Sequence, residues 1–194
     1  MNELLRAELL ALIDHDDAVR SSLADDGSLF DGYHPVMEAV HRANAARLRE
    51  IIGEHGWPDS ALVGDDGADA AWLIAQHSIG EPAFMRQCRE LVDVASAAGR
   101  IPREHFAFLD DRIRAFEGRP QRYGTQFRDG PDGLEPFPLD DRVEVDIRRT
   151  ALGMPPLDEL IAQARASVEP RPRDLAAKQA AERAWRIRVG WVES

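Results

Sequence analysis

Apolar residues recur at helical spacing along most of the chain, and the recurrence divides it into a string of helices. Over residues 3–24, Leu5, Leu9, Leu12, Val19 and Leu23 alternate in steps that keep one face, with Asp16 as the single polar interruption of the stripe. Asp25-Asp26-Gly27-Ser28 is a break. Pro35 suits the first turn of a second helix reaching His55, with Val36, Val40, Ala43, Leu48, Ile51 and Ile52 as its apolar positions. Gly56-Trp57-Pro58 stops that helix, since Pro58 cannot continue the hydrogen-bond ladder. After a Gly-Asp-rich loop over 64–67, residues 68–78 are apolar nearly all round, which predicts a helix buried on several sides. A fourth helix over 83–98 turns Phe84, Cys88, Leu91 and Ala95 inward. A fifth, over 102–118, does the same with Phe106, Leu109, Ile113 and Phe116.

From 119 to 141 glycines and prolines accumulate between aromatic residues, which predicts a long loop or a short hairpin turning at Asp129-Gly130-Pro131-Asp132-Gly133. Loops this long inside compact domains tend to be functional. Helical patterning resumes over 142–152 and 157–168. Pro170-Arg171-Pro172-Arg173 is a stiff connector to a last helix carrying Ala176, Ala180, Ala184, Trp185 and Val189. The expected fold is mainly α: a compact helical bundle or orthogonal array with a small β-hairpin or long loop near 119–141. Residues 1–168 form one helical domain in this reading. Residues 169–194 are a tail that packs on the body or on a second copy, so a homodimer through the tail is one expectation.

Composition narrows the function classes. A chain of 194 residues with 44% hydrophobic content can bury a real core, so it is no disordered solvating segment. Its formal charge of −11 lacks the concentrated cationic face that nucleic acid or an anionic membrane would need. The tail from 169 carries six bases and four acids, a charge of +2, which leaves −13 on residues 1–168. The lone cysteine, Cys88, cannot form an internal disulfide and sits on an apolar face, as a small buried hydrophobe would. The start of the chain has acids where a signal peptide has bases, and no run approaches the roughly 18–20 apolar residues of a membrane span. A soluble cytoplasmic protein is expected.

Three strings could carry chemistry. Gln76-His77 ends the apolar third helix, where a half-buried imidazole is either a satisfied core histidine or a general acid–base. In Asp110-Asp111-Arg112, a rotation of about 100° per residue puts Asp110 and Arg112 beside the apolar stripe and Asp111 opposite it. Gln121-Arg122-Tyr123-Gly124-Thr125-Gln126 gathers amides, a phenol and a hydroxyl around a glycine. It either lines a polar pocket, with Gly124 letting a ligand approach the backbone, or satisfies a buried hairpin. Metal motifs do not emerge from spacing. Glu38-x-x-His41 has no second copy, and His34 and His41 are seven residues apart, roughly 10 Å along a helix. Nucleophile-elbow, Walker and dinucleotide motifs are absent from the sequence. Trp57, Trp72 and Phe84 are most simply core.

Taken together, Asn44, Gly56-Trp57-Pro58, Val63-Gly64, Gln76-His77, Gln87, Asp111-Arg112, Gln121-x-Tyr123-Gly124-Thr125-Gln126, Asp146-x-x-Arg149 and Gly153-Met154 resemble an uncharacterised bacterial domain family of unknown function. The resemblance spans roughly residues 36–160. The chain departs from it in carrying His41 where the family pattern carries an acid. The resemblance implies no reaction. It does imply that Gln, His, Asp-Arg, Tyr and Arg positions matter beyond the core, and it places the motif acid at Asp111, not Asp110.

The expectation is a small cofactor-independent enzyme, of hydrolase, lyase or isomerase type, acting on a polar small molecule or peptide-like substrate, with no bound metal. His77 is its acid–base, oriented by Asp111. Arg112 and Arg149 hold an anionic group through their planar donor forks. Tyr123 stabilises developing charge, with Gln76, Gln87, Asp110, Gln121 and Gln126 contributing to substrate binding. The alternative is a non-catalytic acidic binding protein, for instance an antagonist of a basic partner, in which the same groups close into a network without a cavity.

Overall fold

A computed structural model describes residues 1–30, 32–130, 133–167 and 174–193. The structure is mainly helical, as the periodicity predicts, with a single antiparallel β-hairpin among the described residues. It divides into two compact units, Met1–His105 and Phe106–Ser194. The boundary falls inside a helix, Arg103–Phe116.

The first unit contains α1 (Glu3–Asp25), α2 (Pro35–His55), α3 (Ser60–His77), α4 (Pro82–Ala97) and the start of α5 (Arg103–Phe116). Asn2 caps α1 by accepting from the Leu5 N–H, and its own N–H donates to the Leu62 carbonyl, tying the chain start to α3. Leu5, Leu9 and Ile13 of α1, Leu48 and Ile51 of α2, Val63 and Ile74 of α3, and Met85, Cys88 and Val92 of α4 are buried. Two expectations shift here. Helix α3 begins eight residues before residue 68, because Asp59 caps it through the N–H groups of Ala61 and Leu62. Gly64, at φ +74°, kinks the helix instead of ending it. The inward face of α2 is also turned from the one that apolar counting picks. Met37, His41, Asn44, Ala45, Leu48 and Ile51 are buried, while Val36 is 48% exposed. The apolar count skips His41 and Asn44, so it rotates the face away from them. No described helix is long and apolar enough to cross a membrane.

The second unit contains the rest of α5, strands β1 (Phe127–Gly130) and β2 (Gly133–Pro136), and helices α6 (Arg142–Ala151), α7 (Leu157–Ser167) and α8 (Leu175–Val189). The hairpin pairs Phe127 with Pro136 and Gly130 with Gly133, as the glycine-rich 119–141 stretch suggests. Pro131 and Asp132 of the expected turn, and the Pro170–Arg173 connector, lie outside the described residues. Helix α8 belongs to this unit. Just beyond it Trp191 stacks on Phe116 at 5.2 Å, Trp185 meets the same ring edge-on, and Arg186 donates to the Ala115 carbonyl at 3.2 Å.

Within the first unit, the His105 ring lies parallel to Trp72 at 4.3 Å, and the Trp72 indole N–H donates to the His105 carbonyl. Burial pushes the His105 imidazole below its usual range, opposed by the nearby Asp69 and Glu104 charges. A histidine that folds with a lowered pKa adds stability above its unfolded value of about 6.5, and loses it as pH falls towards the folded value. Urea unfolding at about pH 7.5 and about pH 5 should therefore show less stability in acid, and a His105→Phe variant, which keeps the stack, should lose less of it. Equal acid losses in both proteins would contradict this assignment.

Candidate functional site

The helical stripe of α1 carries its interruption into the core. Asp16 lies seven residues after Leu9, on the same inner face, and is fully buried. His41 occupies the inward face of α2 one turn after Met37. His77 is the last residue of α3, next to the buried Gln76, with its side chain 21% exposed. The Asn44 amide donates to the Leu12 carbonyl and joins α2 to α1 at this level.

The three side chains meet. His77 Nδ1 is 3.0 Å from Asp16 Oδ2, and His41 Nε2 is 3.2 Å from the same oxygen. The two imidazoles lie 5.1 Å apart between ring centres. On the far side, the Tyr33 hydroxyl is 2.7 Å from His41 Nδ1. Burial alone would raise the Asp16 carboxyl, yet the two adjacent imidazoles of His41 and His77 outweigh it and hold the group well below the usual carboxylate range. Burial pushes the Tyr33 phenol up, so it stays a neutral donor or acceptor. One consistent proton arrangement has Tyr33 donating to His41 Nδ1, and His77 Nδ1 donating to the ionised Asp16. His77 Nε2 is then a lone pair without a protein partner among the described residues. The arrangement is not saturated: Asp16 Oδ1 and His41 Nε2 are both buried without a hydrogen-bond partner, the latter although it lies 3.2 Å from Asp16 Oδ2.

The Family of unknown function (DUF6624) matches residues 3–167. The chain belongs to that family. The DUF6624 region includes Asp16, His41 and His77 and ends before α8. No curated protein and no solved structure matches the chain.

The remaining sequence-predicted residues are placed as follows. Gln87 is an exposed residue of α4. His77 and Gln76 stand in the first unit, and the carboxylate hydrogen-bonded to His77 is Asp16, which the sequence pattern marks only as a gap in a stripe. The others stand in the second unit and engage one another. Asp110 is buried and accepts from Arg114 Nε at 2.7 Å. Asp111, equally buried, accepts from the backbone N–H groups of Arg122, Tyr123 and Thr125 and from the Thr125 hydroxyl. Burial pushes its carboxyl up, against the pull of those donors. The Gln121 amide donates to the carbonyls of Gln126 and Phe137 and accepts from the Gln126 N–H. Arg112 Nε donates to the Gln126 side-chain oxygen at 2.9 Å.

Arg149 is 1% exposed and donates to the carbonyls of Pro155 at 2.6 Å and Tyr123 at 2.8 Å, with burial lowering its pKa. Tyr123 is bound through its main chain, and burial pushes its phenol up. Gly124 sits at φ +66°, and a Cβ there would meet Leu157 Cδ2 at 2.8 Å, so its close approach is to a leucine side chain. These residues wind the 121–126 loop around a buried carboxylate, which is the second of the two readings that the string allows.

The sequence marks Asp16 only as a gap in a stripe and His41 only as a metal candidate without a second motif, and it gives no sign of Tyr33. The available signal is a polar residue at an otherwise apolar helical position, present in both α1 and α2. Asp111→Asn keeps the shape of the side chain but turns an amide donor toward backbone donors. It should destabilise the chain by about 3 kcal/mol, measured by urea unfolding, whereas Gln87→Ala should change stability by less than about 0.5 kcal/mol.

Proposed function

We propose that this protein is a small enzyme whose chemistry is centred on His77, acting by proton transfer on a polar small-molecule or peptide-like substrate. The observation that carries the reading is the buried Asp16 carboxylate held against the Nδ1 side of a partly exposed imidazole. Such a pair fixes the ring and its tautomer, leaves Nε2 as the base, and stabilises the imidazolium that forms when it accepts a proton. Asp16 takes the orienting role that the sequence pattern assigns to Asp111. His41 and Tyr33 position Asp16 from behind. In the second unit, Arg112, Gln121, Gln126 and Arg149 act by shaping the 121–126 loop. The single buried cysteine suits a reducing cytoplasm.

The test is a conversion screen of polar esters, amides, phosphate esters and lactones followed by NMR. A substrate turned over by the wild type should be converted about 10²–10⁴-fold more slowly by His77→Ala. Added imidazole should restore part of that rate. Full turnover by His77→Ala would remove His77 from the chemistry.

A further inference from the structure

We infer that Asp16, His41 and His77 form a binding site for one divalent transition-metal ion of the Zn²⁺ type. The inference rests on the location proposed above for the chemistry and not on the proton transfer assigned to His77, because a ring bound to metal through Nδ1 carries its proton on Nε2 and is not the base.

Geometry supports it first. One ligand atom from each of the three residues lies within 4.8 Å of the other two, and the two measured separations are 3.0 and 3.2 Å. Tetrahedral Zn²⁺, with bonds of about 2.0–2.1 Å to nitrogen and carboxylate oxygen, spaces its ligands about 3.3 Å apart. Two of the three donor separations, both to Asp16 Oδ2, are therefore already close to the edge length of such a tetrahedron. They come from three helices and are packed among core residues, which holds their spacing without help from a loop.

The unmet hydrogen bonds support it independently. Asp16 Oδ1 is buried with no hydrogen-bond partner, and so is His41 Nε2 although it lies 3.2 Å from Asp16 Oδ2; both belong to this cluster. Buried polar atoms in native proteins are nearly always satisfied, so two such atoms in one place call for a ligand. A cation bonded to Asp16 Oδ2 and His41 Nε2 would satisfy the nitrogen, would reach Oδ1 as well when the carboxylate binds through both oxygens, and would neutralise a carboxylate that is otherwise costly to bury.

The surroundings fit as well. Metal-bound imidazoles use their second nitrogen for a hydrogen bond that fixes the ring. His41 has that bond: with Nε2 on the metal, the Nδ1–H donates to Tyr33 Oη at 2.7 Å. Metal binding through His41 Nε2 and His77 Nδ1 leaves the ring proton on Nδ1 in His41 and on Nε2 in His77. The partial exposure of His77 leaves a side on which a fourth ligand, water or substrate, can enter. Three protein ligands with an open fourth position are the pattern of catalytic and not structural zinc. One carboxylate with two imidazoles also suits other first-row ions.

The full chain, stripped with a chelator and dialysed, is titrated with ZnCl2 by calorimetry and with CoCl2 by visible absorption. The expected result is one equivalent bound, with the d–d bands of Co²⁺ in low-symmetry coordination and a rise in the thermal midpoint. His77→Gln and His41→Gln should abolish that equivalent. Tyr33→Phe should weaken it by about 10–100-fold. His55→Gln, an exposed histidine at the end of α2, should leave it unchanged. Asp16→Asn should behave as the histidine variants do. Should that variant fail to fold, the partly exposed His77 keeps the question open to a decision.

No stoichiometric binding by the folded wild type would overturn the inference. So would binding that survives in both histidine variants, or that His55→Gln loses equally. Those results would leave the His77 proposal standing, because imidazole rescue of turnover decides it separately.

Discussion

A carboxylate placed in a helical core must be compensated where it stands, and Asp16 sets that demand in the first unit. Moving an ionised carboxyl out of water costs several kcal/mol even after relaxation. The helices α1, α2 and α3 answer it with imidazoles, so that their packing and the ionisation of Asp16 depend on one another. His41 and His77 are side chains that a purely apolar core would have no reason to turn inward. Their presence on buried faces follows from the acid opposite them.

The protein buries other carboxylates, and the contrast between Asp16 and Asp111 separates scaffold from site. Asp111 has its oxygens filled by three backbone N–H groups and a hydroxyl from one loop. Nothing there is left to bind a ligand, and the loop conformation is what the acid provides. Asp16 keeps one oxygen without a partner, beside an equally unpartnered nitrogen of His41. Equal burial thus leads to opposite functional readings, decided by how completely the hydrogen-bonding capacity is met. The same criterion assigns Arg149, whose guanidinium is turned to two main-chain carbonyls, to the loop.

Much of the architecture is legible in the chain. The helices of both units follow from apolar spacing, and their ends follow from Pro35, the Gly56-Trp57-Pro58 stop and Gly118. The hairpin follows from the glycines and prolines between 119 and 141. What is harder to read is the identity of buried faces that mix apolar and polar residues. On α2, counting only Val, Leu and Ile selects Val36 and Val40, yet the helix turns His41 and Asn44 inward. Residues 64–67 read as a loop before the third helix, yet the cap at Asp59 starts a helix ahead of them and the chain continues through a kink at Gly64. The strings Gln76-His77 and Tyr123-Gly124-Thr125-Gln126 stand out as motifs, but a motif does not say whether its polar groups face a ligand or the backbone.

The sequence by itself determined the helical class, the positions of most elements, the placement of the hairpin and a net charge of −11. All of these depend on local periodicity, turn chemistry or composition, which need no knowledge of distant neighbours. Only the tertiary structure decided which acid meets His77. Asp16 and His77 are 61 positions apart, and their pairing is set by the packing of α1 against α3, a long-range contact without local trace. It also decided that Asp111 serves a loop, since a carboxylate's role depends on the donors around it and those lie 11 to 14 residues further along the chain.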